Sequence, residues 1–230
     1  KTGLASINLL GKTDFDLHFK GVDPDSILGD LQFRNTYLVY ADNKELYIDS
    51  LYASVNNVGS ADERHFLLRS DLVDITVSGD YTLRSLYAFM NETYQEYKMG
   101  IYDDQATVDN YYANKKPDPV SHHATFFCDA NDLNAIFDIF MPGLYVTKGT
   151  TAEGEFTSGY TNIIRAYSHI SEVYYKGYEF LNSDIELDLS KINNSSDVLA
   201  MVYLQSATQK LNNIETTNLK VEALWSKDTI

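Results

Sequence analysis

Asp184-Ile185-Glu186-Leu187-Asp188-Leu189-Ser190 alternates polar and apolar residues without a break. A period of two belongs to a β-strand with one face buried and one in water. The same pattern recurs elsewhere. Leu219, Val221 and Ala223 alternate with Lys220 and Glu222. Leu51, Ala53 and Val55 alternate with Tyr52 and Ser54, and Val73, Ile75 and Val77 with Asp74, Thr76 and Ser78. Gln32-Phe33 and Leu38 to Tyr40 suggest two further strands near the start. Each aliphatic side chain buried this way is worth roughly 1.5–3 kcal/mol. A register slip of one residue would turn the apolar set outward, so register is strongly specified.

Polar turns separate these runs: Ala41-Asp42-Asn43-Lys44, Asn56-Asn57-Val58-Gly59-Ser60, Asn193-Asn194-Ser195-Ser196 and Asn212-Asn213. Short strands and polar turns at this spacing predict a mainly β chain, laid out as a meander, sandwich or solenoid. No exact repeat is present.

Two short amphipathic helices are expected to interrupt the strands. Over 82–98, Leu83, Leu86, Tyr87, Met90, Tyr94 and Tyr97 recur at spacings of three and four, which places them on one helical face. Over 131–140, Leu133, Ile136, Phe137 and Phe140 form the stripe; an Asp/Asn cluster precedes it and Met141-Pro142-Gly143 ends it. Each helix is expected to cover the apolar face or the end of a sheet, as a lid over any groove there. Residues 100–121 show no periodicity. Asp103, Asp104 and Asp109 are followed by Tyr111-Tyr112 and Lys115-Lys116-Pro117-Asp118-Pro119, which reads as a loop or linker. The expected organisation is therefore a first β segment ending in a helix (1–99), a linker (100–121), and a helix with a second β segment (122–230).

Hydrophobic residues make up 44% of the chain, enough for a core. Eighteen tyrosines and eleven phenylalanines suit a pleated, half-buried surface. The formal net charge of −15 argues against nucleic acid as a partner, because phosphate contacts need a basic face. It also argues against adsorption to an anionic membrane. The single cysteine, Cys128, excludes an internal disulfide. Lys1-Thr2-Gly3-Leu4-Ala5 lacks the apolar region of a signal peptide, and no apolar run is long enough to cross a membrane as a helix. Both ends read as cuts through a longer polypeptide.

No phosphate-binding, dinucleotide-binding or serine-nucleophile motif is present. His122, His123, Cys128 and Asp129 form a metal-like group, but zinc sites carry a second ligand pair and none is found here. Cys128 follows Phe126-Phe127 and reads as a core thiol. Glu153/Glu155 and Asp184/Glu186/Asp188 stand at i, i+2 spacing, which puts each set on the solvent face of a strand instead of around a glycosidic bond. No catalytic residue, metal or cofactor is therefore assigned. An enzyme would need a pocket where His169, Cys128 or an acidic pair converge.

Several strings carry a family likeness. They are Leu31-Gln32-Phe33-Arg34-Asn35-Thr36-Tyr37, Leu46-Tyr47-Ile48-Asp49-Ser50-Leu51 and Ser70-Asp71-Leu72-Val73-Asp74-Ile75-Thr76-Val77-Ser78-Gly79-Asp80-Tyr81. With them go Met141-Pro142-Gly143-Leu144-Tyr145-Val146-Thr147-Lys148-Gly149-Thr150 and Glu153-Gly154-Glu155-Phe156. Over most of 20–190 the chain resembles the long TamB proteins of Bacteroidetes, in the AsmA-like translocation and assembly superfamily. The resemblance implies an extended, curved antiparallel sheet, a β-taco, with an apolar concave face and a polar convex one. It implies a periplasmic location, with the full-length protein anchored in the inner membrane. It also implies an outer-membrane barrel of the Omp85 type as partner, and a role in barrel assembly or phospholipid transport between membranes.

The candidate groove residues are those on the apolar parity: Leu51, Ala53, Val55, Val73, Ile75, Val77, Ile185, Leu187, Leu189, Leu219 and Val221. The lid candidates are Leu83, Leu86, Met90, Leu133, Ile136, Phe137 and Phe140. At about 0.8 kcal/mol per methylene, an acyl chain of ~14 carbons gains roughly 11 kcal/mol gross on entering such a groove, before ordering costs. The competing expectation is an extracellular β-sandwich that binds carbohydrate or protein through surface tyrosines. It would need a closed two-sheet core.

Overall fold

The alternating stretch at 184–190 lies in a strand that belongs to one large antiparallel sheet. The computed structural model describes residues 10–23, 25–40, 44–57, 63–115, 121–212 and 214–226. The expectations for the first five residues, and for the turn residues 41–43, 58–60, 116–119 and 213, lie outside the described residues.

The elements in order are β1 (Leu10–Lys20), β2 (Leu28–Tyr40), β3 (Lys44–Asn57), β4 (Glu63–Ser70), β5 (Asp74–Asp80), α1 (Leu83–Tyr102), α2 (Gln105–Asn114), β6 (His123–Ala130), α3 (Asn134–Phe140), β7 (Leu144–Val146), β8 (Thr150–Thr157), β9 (Thr161–Tyr175), β10 (Tyr178–Ile192), β11 (Val198–Leu211) and β12 (Ile214–Ser226). The strands pair in chain order as a meander, with only β7 off the path, against β9. Among the described residues β1 pairs with β2 alone and β12 with β11 alone, so the sheet stays open. The chain is thus mainly β, an open antiparallel sheet with short helices, as expected. A two-sheet sandwich is not formed by the described residues.

The accessible surface is 14552 Å². A compact chain of this mass would expose about 10,600 Å². The excess fits a single layer whose faces are only partly covered.

Three asparagines, Asn35, Asn182 and Asn218, adopt left-handed backbone inside strands. Asparagine tolerates this conformation because its short side chain bonds locally. At Asn35/Asp49, and along the row Ser171–Asn182–Ala207–Asn218, the ladder skips one bridge while the register on either side is unchanged. At the first kink, the amides of Asp49 and Ser50 both reach the Asp71 carboxylate, at 3.3 and 3.4 Å. Successive amides of a regular strand point in opposite directions. Inward positions accordingly step by three across each kink, from Ile48 to Leu51 and from Ser206 to Gln209.

The helices depart from expectation in three ways. First, the stretch 100–121, read as a linker, contains α2. Asp103 caps the end of α1 through its amide to the Met99 carbonyl (3.0 Å), and Asp104 caps the start of α2 by accepting the Thr107 amide (2.9 Å). Of the acidic residues read as loop signals, Asp103 and Asp104 stand at helix caps and Asp109 lies within α2. Second, α3 is shorter than its apolar stripe, and its first turn has no side-chain cap. Third, the buried face of α1 runs through Phe89, Glu96 and Met99, while Tyr87, Met90 and Tyr94 face solvent, Met90 being 53% exposed. A buried glutamate shifted the inward stripe off the most apolar positions. No helix among the described residues is long and apolar enough to cross a membrane.

Among the described residues, one cluster of buried apolar side chains forms, between α1 and the sheet. Phe89 stacks on Phe156 (ring centroids 5.3 Å apart), and Tyr81 meets Phe156 edge-on at 6.5 Å, with Ala124 beneath and Val77, Leu83, Leu86 and Ile164 around them. The Thr82–Ser85 capping box starts the helix directly above this cluster.

Candidate functional site

Register places the apolar parity of every strand on one face. A first row across that face reads Leu17, Leu31, Ala53, Leu68, Ile75, Cys128, Ala152, Ser168, Ile185, Leu204 and Val221, each directly opposite the next. A second reads Phe19, Gly29, Val55, Phe66, Val77, Phe126, Gly154, Ala166, Leu187, Val202 and Ala223. The second row contains no polar side chain, and the first only Ser168. At about 4.8 Å per strand, such a row runs roughly 48 Å perpendicular to the strands. Both rows are partly exposed, apart from Val55, which is buried. Their central members are half-buried, Leu17 is 53% exposed and Val221 is 44% exposed.

Of the candidate groove residues, Ala53, Val55, Ile75, Val77, Ile185, Leu187 and Val221 stand in these two rows. Leu51 and Leu219 flank the first row, and Leu189 lies in a third row, beneath the helices. Val73 is the exception. It precedes β5, in a turn where its carbonyl accepts the Ser70 hydroxyl at 2.9 Å.

Local structures rim both ends of this face. At one end, Arg64 donates to the carbonyls of Asp25 and Ile27 (2.6 and 2.9 Å), and α1 lies over Ala124 and Phe156. At the other, Lys44 donates to the Asp138 and Ile139 carbonyls of α3 (2.9 and 3.1 Å), while Asn134 holds both the amide and the carbonyl of Val146. Among the lid candidates, Leu83 and Leu86 pack on the core cluster. Leu133, Ile136 and Phe137 are half-buried, while Met90 and Phe140 point outward.

The reverse face is polar. An open furrow of about 670 Å³ crosses β5, β6, β8, β9 and β10 there. Phe127, Glu153, Tyr167 and Glu186 line one side, and Thr125, Glu155, Arg165 and Asp188 the other. Arg165 bridges Glu155 (2.8 Å) and Asp188 (3.3 Å), so it binds the acidic wall together. Beside the furrow, Asp184 accepts from the Tyr167 hydroxyl at 2.8 Å and lies 2.7 Å from His169 Nδ1. Those contacts, His169 first, hold its carboxyl below the usual range.

The neighbouring Ser168 is turned away from this histidine–carboxylate pair: it is on the apolar face and donates to the Thr151 carbonyl (2.9 Å). Cys128 also lies on the apolar face, away from His169. Burial first, then Asp129 and Asp74, push its thiol pKa up, against thiolate chemistry. His123 is turned toward Thr157 (3.1 Å). No group of three or more metal-ligating side chains exists among the described residues.

One constellation was not read from the sequence. Glu96 of α1 is completely buried, 2.6 Å from Lys115 and 2.7 Å from Lys191, and it accepts the Tyr111 hydroxyl at 3.1 Å. Lys115 also reaches Glu92 (2.8 Å) and the Asn193 carbonyl (2.9 Å); Lys191 sits over the Tyr112 ring. Burial pulls the Lys191 pKa down despite Glu96. Burial, with Glu96 second, pushes Tyr97 up to about 12 and raises Tyr111 and Tyr112 further. The sequence signal was the helical spacing of Phe89, Thr93 and Glu96, which places a charge on the inward stripe.

Comparison with protein-family models, curated proteins and solved structures gave no match.

Proposed function

We propose that this chain is a non-catalytic segment of a periplasm-spanning envelope protein of TamB type, and that its open apolar face carries phospholipid acyl chains. The observation that supports the reading is the pair of rows that cross eleven strands with Ser168 as their one polar side chain and with their members only partly covered. An apolar face of this extent on a single-layer sheet calls for an occupant. A row running across the strands offers an acyl chain a continuous path with no fixed headgroup pocket. On this reading the protein serves outer-membrane assembly or lipid transport, and an Omp85-type barrel is its partner. The acidic reverse face keeps the sheet soluble.

The test is direct. Purified chain is extracted and its lipid content measured by mass spectrometry, then titrated with a phospholipid carrying a fluorescent acyl chain. Leu187→Asp and Val202→Asp place charge in the second row, away from the core cluster. They are expected to abolish acyl-chain binding while the circular dichroism of the sheet persists. A wild-type chain that neither co-purifies with lipid nor binds the probe would sink the reading.

A further inference from the structure

The insertion 81–122 leaves and re-enters the sheet between neighbours. β5 and β6 pair without interruption from Asp74–Asp129 to Asp80–His123. The ladder therefore needs nothing from the insertion at this junction. The insertion instead runs sideways across the strand ends. Phe89 packs on Phe156 of β8, Tyr97 meets Trp225 of β12 at 5.7 Å, and Lys115 bonds the Asn193 carbonyl in the β10–β11 turn.

Its two ends are held differently. The near end is fastened by Tyr81 and Phe89 in the apolar cluster. The far end is fastened by charge, through Glu96 between Lys115 and Lys191, beside the Tyr97–Trp225 ring contact. A cavity of about 100 Å³ lies beside that charge, lined by residues including Val108, Tyr112, Val198 and Trp225. A buried ion pair adds little net stability over apolar packing, yet its loss on one side is costly. Incomplete packing and ionic fastening on the same interface mark the part of a structure that opens first.

We infer that α1 and α2 form a hinged strap. It stays anchored at Tyr81 and Phe89, and it swings off β9–β12 when the Glu96 contacts are lost. Opening uncovers Leu189, Ala200 and Trp225, the third row of the apolar face. The motion itself is independent of what that face carries. Its consequence, a wider path for acyl chains, rests on the lipid reading.

Trp225 is the only tryptophan in the chain, so its emission reports the strap's far end. Glu96→Gln keeps the side-chain shape and removes the charge. It is expected to red-shift Trp225 emission, raise acrylamide quenching at least threefold, and speed amide exchange over 90–114 at least tenfold, with β9 and β10 unchanged. The triple replacement Glu96→Leu, Lys115→Met, Lys191→Met is expected to lock the strap, with slower exchange and wild-type emission. Unchanged emission and exchange in Glu96→Gln would overturn the inference. If that variant fails to fold, native-state exchange of the wild-type chain decides. Strap amides should open at lower denaturant than β9 and β10, and a single shared transition would overturn it. A strap that opens without altering uptake of the acyl-chain probe counts against the lipid reading alone.

Discussion

The ring of Phe126 lies against Gly154 across the β6–β8 ladder, so that a Cβ at 154 would come within 2.7 Å of the ring and 2.1 Å of the Arg165 carbonyl oxygen. The strand passes here because glycine leaves room for the aromatic side chain. Gly154→Ala is expected to destabilise the fold by about 1–3 kcal/mol through overpacking. Gly149 supplies the contrast. Its surroundings are open and only its left-handed backbone is at stake, so Gly149→Ala is expected to cost roughly 1–2 kcal/mol. Urea denaturation of the two variants checks the mechanism. A Gly154→Ala chain as stable as wild type would remove the close-contact argument.

Phe156 joins the sheet to the helical insertion, with Phe89 and Tyr81 on its two sides. Phe156→Ala is expected to cost about 3–5 kcal/mol, because rigid neighbours cannot fill the space it leaves. The loss should appear first as faster amide exchange in α1. Val221→Ala, at an exposed position near the edge, is expected to change stability by under ~0.5 kcal/mol.

The thiol of Cys128 is protected twice, by burial on the apolar face and by the carboxylates of Asp129 and Asp74. Its reaction with an aromatic disulfide reagent at pH 7.5 is expected to run at least about tenfold slower than that of free cysteine, because only the thiolate attacks. Urea should restore the full rate. Fast labelling of the native chain would show that the thiol is accessible and ionised.

Asp184 supplies an acid-side prediction. Its folded pKa is below the usual 3.8, with His169 the first cause and Tyr167 the second. Between the folded and unfolded values the unfolded chain takes up the proton first. The contribution is therefore complete above about pH 4 and fades as pH falls through the folded value. The carboxylate is 37% exposed, so water screens the effect to a few tenths of a kcal/mol. Asp184→Asn is expected to lower stability by that amount at pH values above about 4 and to flatten its decline below pH 4, where the two chains converge. Denaturation midpoints across pH 2–7 measure it.

The sheet was legible because a period of two is a local signal. Alternation in 184–190 and 219–223 gave the buried parity, and the ladders placed Ile185, Leu187 and Val221 on one face as that parity required. What alternation could not show was its own interruptions. The kinks at Asn35 and Asn182 change parity inside a strand, and asparagine alone reads as a turn. Val73 looked like the start of an alternating run but belongs to the turn that the Ser70 hydroxyl organises. Residues 105–114 read as loop because Asp103 and Asp104 signal both loops and caps. For the Glu96 cluster, helical spacing pointed only to an inward charge and not to its partners. Its lysines arrive from Lys115 and Lys191, far along the chain, and only the tertiary fold makes a buried charge on α1 tolerable.

The insertion between β5 and β6 also gives the sheet a seam. Hairpins such as β9–β10 and β10–β11 close through short turns, so their pairing can spread strand by strand from any nucleus. At β5–β6, the ends must meet across 81–122, which costs roughly 2 kcal/mol more than closing a four-residue turn. β1–β5 and β8–β12 are therefore expected to pair before the Asp74–Asp129 to Asp80–His123 ladder closes, an order that pulsed amide exchange during refolding measures.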